Sequence, residues 1–255
     1  MRLSIKNRKS GRSHAAQEKR YVSMDERQEL QYNFDTVREN IRKACQRSKR
    51  PENSVTLVAV SKFKPVSMIR NAMACGQTVF GENRVQELCG KMEELRDEEI
   101  SWHMIGHLQQ NKVKYIVGKV DLIHSVDSID LAAQIAKEAQ KQGVIADILL
   151  EVNVAGEESK FGFSVDEVMN AVEKIAAMKG IHICGLMTIA PFVEDPEDNR
   201  KYFKKLYQLS VDIGVKNIDN VNMSELSMGM TGDYEVAVEE GATMVRVGTG
   251  LFGSR

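Results

Sequence analysis

Lys62 stands where an apolar run, Leu57 to Val60, gives way to Ser61 and then to Pro65. Desolvating an ammonium is costly, so lysines are seldom buried without a partner. Two readings fit the position equally. The side chain snorkels to water from a strand end, or it sits in a pocket where a lowered pKa makes the amine a nucleophile toward carbonyls. Lys64 is the local competitor, but beside Pro65 and nearer the following helix it reads as solvated. Arg246 alternates with Val245 and Val247 and also needs a partner. That partner is a carboxylate such as Glu225, or a ligand ring or phosphate. The neighbours favour a ligand, because SMGMTGD (227–233) and VGTGLFG (247–253) are small-residue turns that let a backbone approach an anion. A short helix opening near Asp233 would add free N–H groups. Either turn alone says little; the pair points to a phosphate cradle.

Other candidates are weaker. Asn83 in GENRVQE (81–87) bonds a ligand hydroxyl or simply caps the helix that follows. HMIGH (103–107) spaces two histidines four apart, yet it spans a strand end and lacks the carboxylate of a metal-binding helix, so no metal site is expected. The cysteines Cys45, Cys75, Cys89 and Cys184 are scattered without a C-x-x-C pair, as free thiols of a reducing cytosol would be. No Walker-type loop and no Ser/His/Asp arrangement stands out. A lysine, a phosphate cradle and an arginine together suit pyridoxal 5′-phosphate (PLP): Lys62 for the aldehyde, the glycine turns for the phosphate, Arg246 for the ring nitrogen.

The elements that must bring these residues together alternate along the chain. Strand-like runs fall at 55–61, 78–81, 100–105, 122–126, 147–154, 181–189, 221–227 and 244–248. Helix-like runs separate them. Pro65 and Gly76 frame the first, 84–96 and 109–119 are shorter and more polar, and 128–142 carries Leu131, Ile135 and Ala139 on one face. Ser164 and Glu167 form a capping-box pattern at the head of 165–178. A long charged helix follows over 195–213, then a short one over 233–240. Such β/α alternation, with near-continuous apolar strands like TLVAV and DILL, describes a parallel sheet covered by helices. Eight units in about 200 residues fit a (β/α)8 barrel in one domain, with a doubly wound open sheet as the alternative. Barrel chemistry gathers at the C-terminal strand ends. One mouth would then hold Lys62, Asn83, His103, Gly106, Asn153, Met187, Thr188, the Ser227–Met230 turn and Gly248 to Gly250.

Composition excludes several classes. A formal net charge of -1 and 6% aromatic residues give no basic surface and no stacking platform for nucleic acid. No apolar run approaches a membrane span. The first residues are basic and polar without an apolar core, so they are not a secretory signal. Helical periodicity starts near Asp25, with Leu30, Phe34, Val37, Ile41 and Ala44. Residues 1–24 therefore read as a disordered extension, or as an upstream start with Met24 the usual initiator, ahead of a barrel domain over 25–255. A cytoplasmic protein is expected.

VAVSKFKP, FGENRVQE, WHMIGHLQQNK, GLMTIAP and LSMGMTGDYEVAVEEGATMVRVGTGLFG, in this order, closely resemble the pyridoxal phosphate homeostasis protein family over about residues 30–255. The resemblance implies a single-domain fold type III PLP barrel, related to the N-terminal domain of alanine racemase. It implies that Lys62 forms the internal aldimine, that Asn83 lies near the ring, and that Arg246 faces the pyridine nitrogen. It implies a phosphate site at Ser227, Met228, Gly229, Met230, Gly248 and Thr249; His103 and Met187, at their strand ends, complete the expected cofactor-binding set. Thr231 stands where the family often has serine, which keeps the hydroxyl. Fold type III racemases add a β-domain that supplies a catalytic tyrosine; this chain ends at Arg255, directly after the last strand, so that domain is expected to be missing. The function implied is a PLP carrier or regulator, a monomer or weak homodimer, with apo PLP enzymes as partners and no strong turnover. A PLP-dependent racemase or lyase is the rival, and an aldolase using Lys62 on a phosphorylated sugar the third reading.

Overall fold

The structure, a computed structural model, describes the backbone of residues 14–253 except Glu158, and the side chains from residue 26 onward. Eight parallel strands close into a barrel in sequence order. They are β1 (Thr56–Val60), β2 (Val79–Glu82), β3 (Ser101–Met104), β4 (Leu122–Val126), β5 (Ala146–Glu151), β6 (Ile181–Met187), β7 (Val221–Met230) and β8 (Met244–Val247). Closure is made by β1 on β8, with Val58 opposite Arg246. The expected barrel is thus the observed fold, and the open-sheet alternative is not.

The α-helices are α1 (His14–Arg47), α2 (Val66–Ala74), α3 (Val85–Glu94), α4 (Ile129–Gln142), α5 (Val168–Ala176), α6 (Arg200–Gly214), α7 (Tyr234–Glu239) and α8 (Thr249–Phe252). A 3-10 turn, Gln110–Tyr115, replaces the helix expected over 109–119, and another, Pro196–Asn199, leads into α6. Local signals explain several ends. Ser128 accepts the Leu131 N–H at the head of α4, and Gly143 closes it at φ 70°. The Ser164–Glu167 box forms as expected: Glu167 N–H donates to Ser164 Oγ (3.3 Å), and Ser164 N–H donates to Glu167 Oε2 (3.2 Å).

Strand alternation divides the apolar residues into two cores. Phe80, Trp102, Ile148, Leu226 and Val245 face outward into the layer shared with the helices. Val58, Leu122, Leu149, Met187 and Met244 fill the barrel itself. Each fully buried side chain of this size contributes about 1.5–3 kcal/mol. The helix layer also fixes the last turn of the chain: Phe34 of α1 packs edge-on against Phe252 at 6.0 Å, and Asn33 Nδ2 donates to the Leu251 carbonyl.

Two further expectations change. Helix α1 begins at His14, so residues 14–24, read as part of an extension, continue the helix as backbone; residues 1–13 lie outside the described residues. Strand β7 runs on to Met230, so Ser227–Met230 is strand and not a turn after it. Gly229 permits this at φ 93°, where α7 leaves no room for a side chain: a Cβ would stand 2.6 Å from Ala237 Cβ.

Candidate functional site

The inward positions near the C-terminal strand ends carry polar groups. Arg246 is buried, and two of its five N–H donors go to uncharged oxygens: Nη1 donates to Ser227 Oγ (2.6 Å) and Nη2 to the Thr188 carbonyl (2.8 Å). Glu225 instead accepts from Thr243 Oγ1 (2.6 Å), so the Arg246–Glu225 ion pair considered from sequence is not formed. Burial pulls the Arg246 pKa down to about 10, partly offset by Glu151 and Asp233. It still carries its charge at neutral pH.

From Ser227 a hydrogen-bond chain crosses the barrel. His124 Nδ1 lies 2.8 Å from Ser227 Oγ, His124 Nε2 lies 2.9 Å from His103 Nδ1, and His103 Nε2 lies 3.3 Å from Ser101 Oγ. Burial pushes His103 down to about 4 and His124 well below the ordinary range, His124 further by the neighbouring His103 and Arg246. With both rings neutral, each ring donates through one nitrogen and accepts through the other, so the chain is satisfied with its protons running in either direction, while Ser227 accepts from Arg246. His124 was not singled out in the sequence, because a histidine inside LIHSV has the same look as any strand residue. Glu151, also missed, ends β5 and is buried; desolvation, reinforced by Asp127, raises its carboxyl to about 7.

At the end of β1, Lys62 is half-buried in the turn that links Val60 to α2. Lys64 is committed elsewhere, its Nζ donating to the Phe252 (2.9 Å) and Gly253 carbonyls. The turn after β8 abuts the same strand: a Cβ on Gly248 would lie 3.4 Å from Val60 Cβ. Here the N–H groups of Gly248 (3.4 Å) and Gly250 (3.3 Å) and the Thr249 hydroxyl (3.2 Å) all reach Thr231 Oγ1. This cluster of donors is the arrangement an anion would use. Asp233 stands at the head of α7 without capping its N–H groups; its carboxylate accepts instead from Met230 N–H (2.7 Å) and from Asn199 Nδ2 (2.8 Å).

Asn83 follows β2 and does not cap α3, whose N-cap is Arg84 without a side-chain bond. Its Oδ1 is buried without a hydrogen-bond partner, a polar atom that a ligand would satisfy. Met187 lines the barrel interior. Met228 does not: its side chain packs in the outer core, which leaves only its backbone near the mouth. Asn153 serves its own loop, accepting from Gly156 N–H and donating to the Glu157 carbonyl. At the opposite end of the barrel, Asp147, His182 and Cys184 bring ligand-type atoms within 4.8 Å of one another. His182 and Asp147 share a 2.9 Å hydrogen bond there, and burial pushes the Cys184 thiol up to about 12.

The family model for the alanine racemase N-terminal domain matches residues 32–255. A pyridoxal phosphate homeostasis protein of Aquifex aeolicus is 49% identical over 219 residues, which cover 86% of this chain and 95% of that protein. The chain belongs to the pyridoxal phosphate homeostasis proteins, within the alanine racemase N-terminal domain family. Solved structures of similar chains share the fold. An unknown protein from Bifidobacterium adolescentis superposes with a TM-score of 0.84 at 37% identity, covering 89% of this chain and 96% of that one. PipY of Synechococcus elongatus, solved with PLP bound, gives 0.73 at 37% identity, covering 84% and 99%. Among the described residues no helix is long and apolar enough to cross a membrane.

Proposed function

We propose that this chain binds PLP at the C-terminal mouth of its barrel and serves vitamin B6 homeostasis as a carrier or regulator. The observation that carries the reading is Arg246, a buried cation bonded to a serine hydroxyl and a backbone carbonyl. The donor set suits the cofactor. The orphaned Asn83 Oδ1 is the kind of buried atom a ligand satisfies, and the Gly248–Gly250 donors match a phosphate. Bound there, PLP supplies an aldehyde that holds amines covalently and a ring that accepts electrons.

The chain's own residues divide the work. Lys62 contributes the amine that would hold the aldehyde carbon. Thr249, the N–H groups of Gly248 and Gly250, and the Ser227–Gly229 backbone would hold the phosphate, with the Met230 N–H held by Asp233. His103 and Met187 form the wall against which the ring would lie. Arg246 would face the ring nitrogen as a donor. A permanent cation there keeps that nitrogen unprotonated, which weakens electron withdrawal by the ring and favours holding the cofactor over turning over a substrate. Apo PLP enzymes are the recipients this reading implies, the compartment is the cytoplasm, and the working state is a monomer or weak homodimer.

The test is transfer. Protein loaded with PLP and freed of excess is mixed with an apo-aminotransferase. The reading expects aminotransferase activity to appear while amino acids alone show no useful α-proton exchange in deuterated water. Failure to activate several apo-enzymes would remove the carrier role, and sustained α-proton exchange would put a racemase or lyase in its place.

A further inference from the structure

We infer that Glu82, Glu87 and Lys91 form a clamp on the turn containing Lys62 and are positioning residues for its amine; the inference rests on the reading of Lys62 as the cofactor lysine. Glu82 ends β2 on its outer face, and Lys91 reaches it from α3. Their side chains are 0% and 7% exposed, which is rare for these residue types. The ammonium of Lys91 spends its three donors on Glu82 Oε1 (2.7 Å), Glu87 Oε1 (2.6 Å) and the carbonyl of Ser61 (2.8 Å). Ser61 Oγ donates to the same Glu82 oxygen (2.6 Å), and the Phe63 N–H donates to the same Glu87 oxygen (2.5 Å). The residue before Lys62 and the residue after it are therefore fastened to one buried cation.

The turn needs such fastening. Phe63 has φ 62°, a left-handed conformation that a bulky residue keeps only where its surroundings hold it. The arrangement is also costly. Burial raises the Glu82 carboxyl above its ordinary range, and Glu82 Oε2 has no partner. Buried ion pairs of this kind are often no more stabilising than apolar residues of similar volume. Stability alone thus gives no reason for the cluster, whereas holding a lysine at the mouth does.

Glu87→Ala is the decisive variant, because Glu87 is 21% exposed and its loss leaves the Glu82–Lys91 pair intact. In protein without PLP, exchange of the Phe63 amide is followed by NMR; the clamp predicts exchange about tenfold faster, as loss of one charged hydrogen bond implies, with the β-strand amides unchanged. With PLP, the dissociation constant rises about tenfold, and Glu87→Gln, which keeps an acceptor oxygen, recovers most of the loss. A lowered Tm with unchanged Phe63 exchange and unchanged PLP affinity would overturn the clamp. No PLP bound to Lys62 in the wild type would instead overturn the cofactor reading on which the inference rests; the exchange result then decides separately whether the turn is clamped.

Discussion

Gly106→Ala tests the packing that positions Asn83. A Cβ at Gly106 would stand 2.5 Å from the Asn83 carbonyl oxygen, 2.6 Å from its Cα and 2.9 Å from its carbonyl carbon. These are backbone atoms, so no side-chain rotation relieves the overlap. Neither side can retreat easily. Ser125 Oγ donates to the Gly106 carbonyl (2.6 Å), and the preceding Ile105 N–H donates to the Glu82 carbonyl (2.9 Å). The methyl must therefore push the Asn83 turn outward. Overpacking of this kind costs about 2 kcal/mol, which in a domain of this size lowers Tm by about 4–8 °C. Because the displaced residue is Asn83, PLP affinity should fall together with stability. Thermal unfolding and a PLP titration of the purified variant measure both. A variant with the wild-type Tm and affinity would refute the argument that Gly106 makes room for Asn83.

Two further outcomes follow from the structure. Glu151 is held near pKa 7 by burial, against an ordinary 4.5, so the fold favours its protonated form; that contribution is complete below about pH 4.5 and is lost as pH rises through 7. Denaturant unfolding across this range should show Glu151→Gln gaining about 3 kcal/mol relative to the wild type between pH 4.5 and 8, and parallel profiles would show that Glu151 titrates normally. Ser128→Ala removes the bond from Leu131 N–H that caps α4; it should cost about 1 kcal/mol in urea unfolding, and no change would mean that water replaces the cap.

The barrel was legible because each strand is buried on both sides, so apolar runs such as TLVAV and DILL stand out against charged helices. Strand ends then placed Lys62, Arg246 and the glycine turns near one mouth without any knowledge of side-chain direction. What the sequence concealed depends on direction and on distant neighbours. Met228 and Ser227 are adjacent in SMGM, yet one faces the outer core and the other the interior. His124 gains its meaning from His103 and Ser227, on strands far away in the chain. Lys91 looks like any polar helix residue, and only the β2–α3 packing turns it inward onto Glu82. The start of α1 was misjudged because residues 14–24 lack apolar periodicity, while the backbone there continues the helix that packing anchors further on.

Whether Lys62 is the amine that holds PLP is decided by chemical trapping. The purified chain is incubated with PLP, reduced with borohydride, digested and mapped by mass spectrometry. The expected result is a pyridoxyl group on Lys62 and none in the Lys62→Ala variant. A label on Lys64 or another lysine, with Lys62 unmodified, would contradict it.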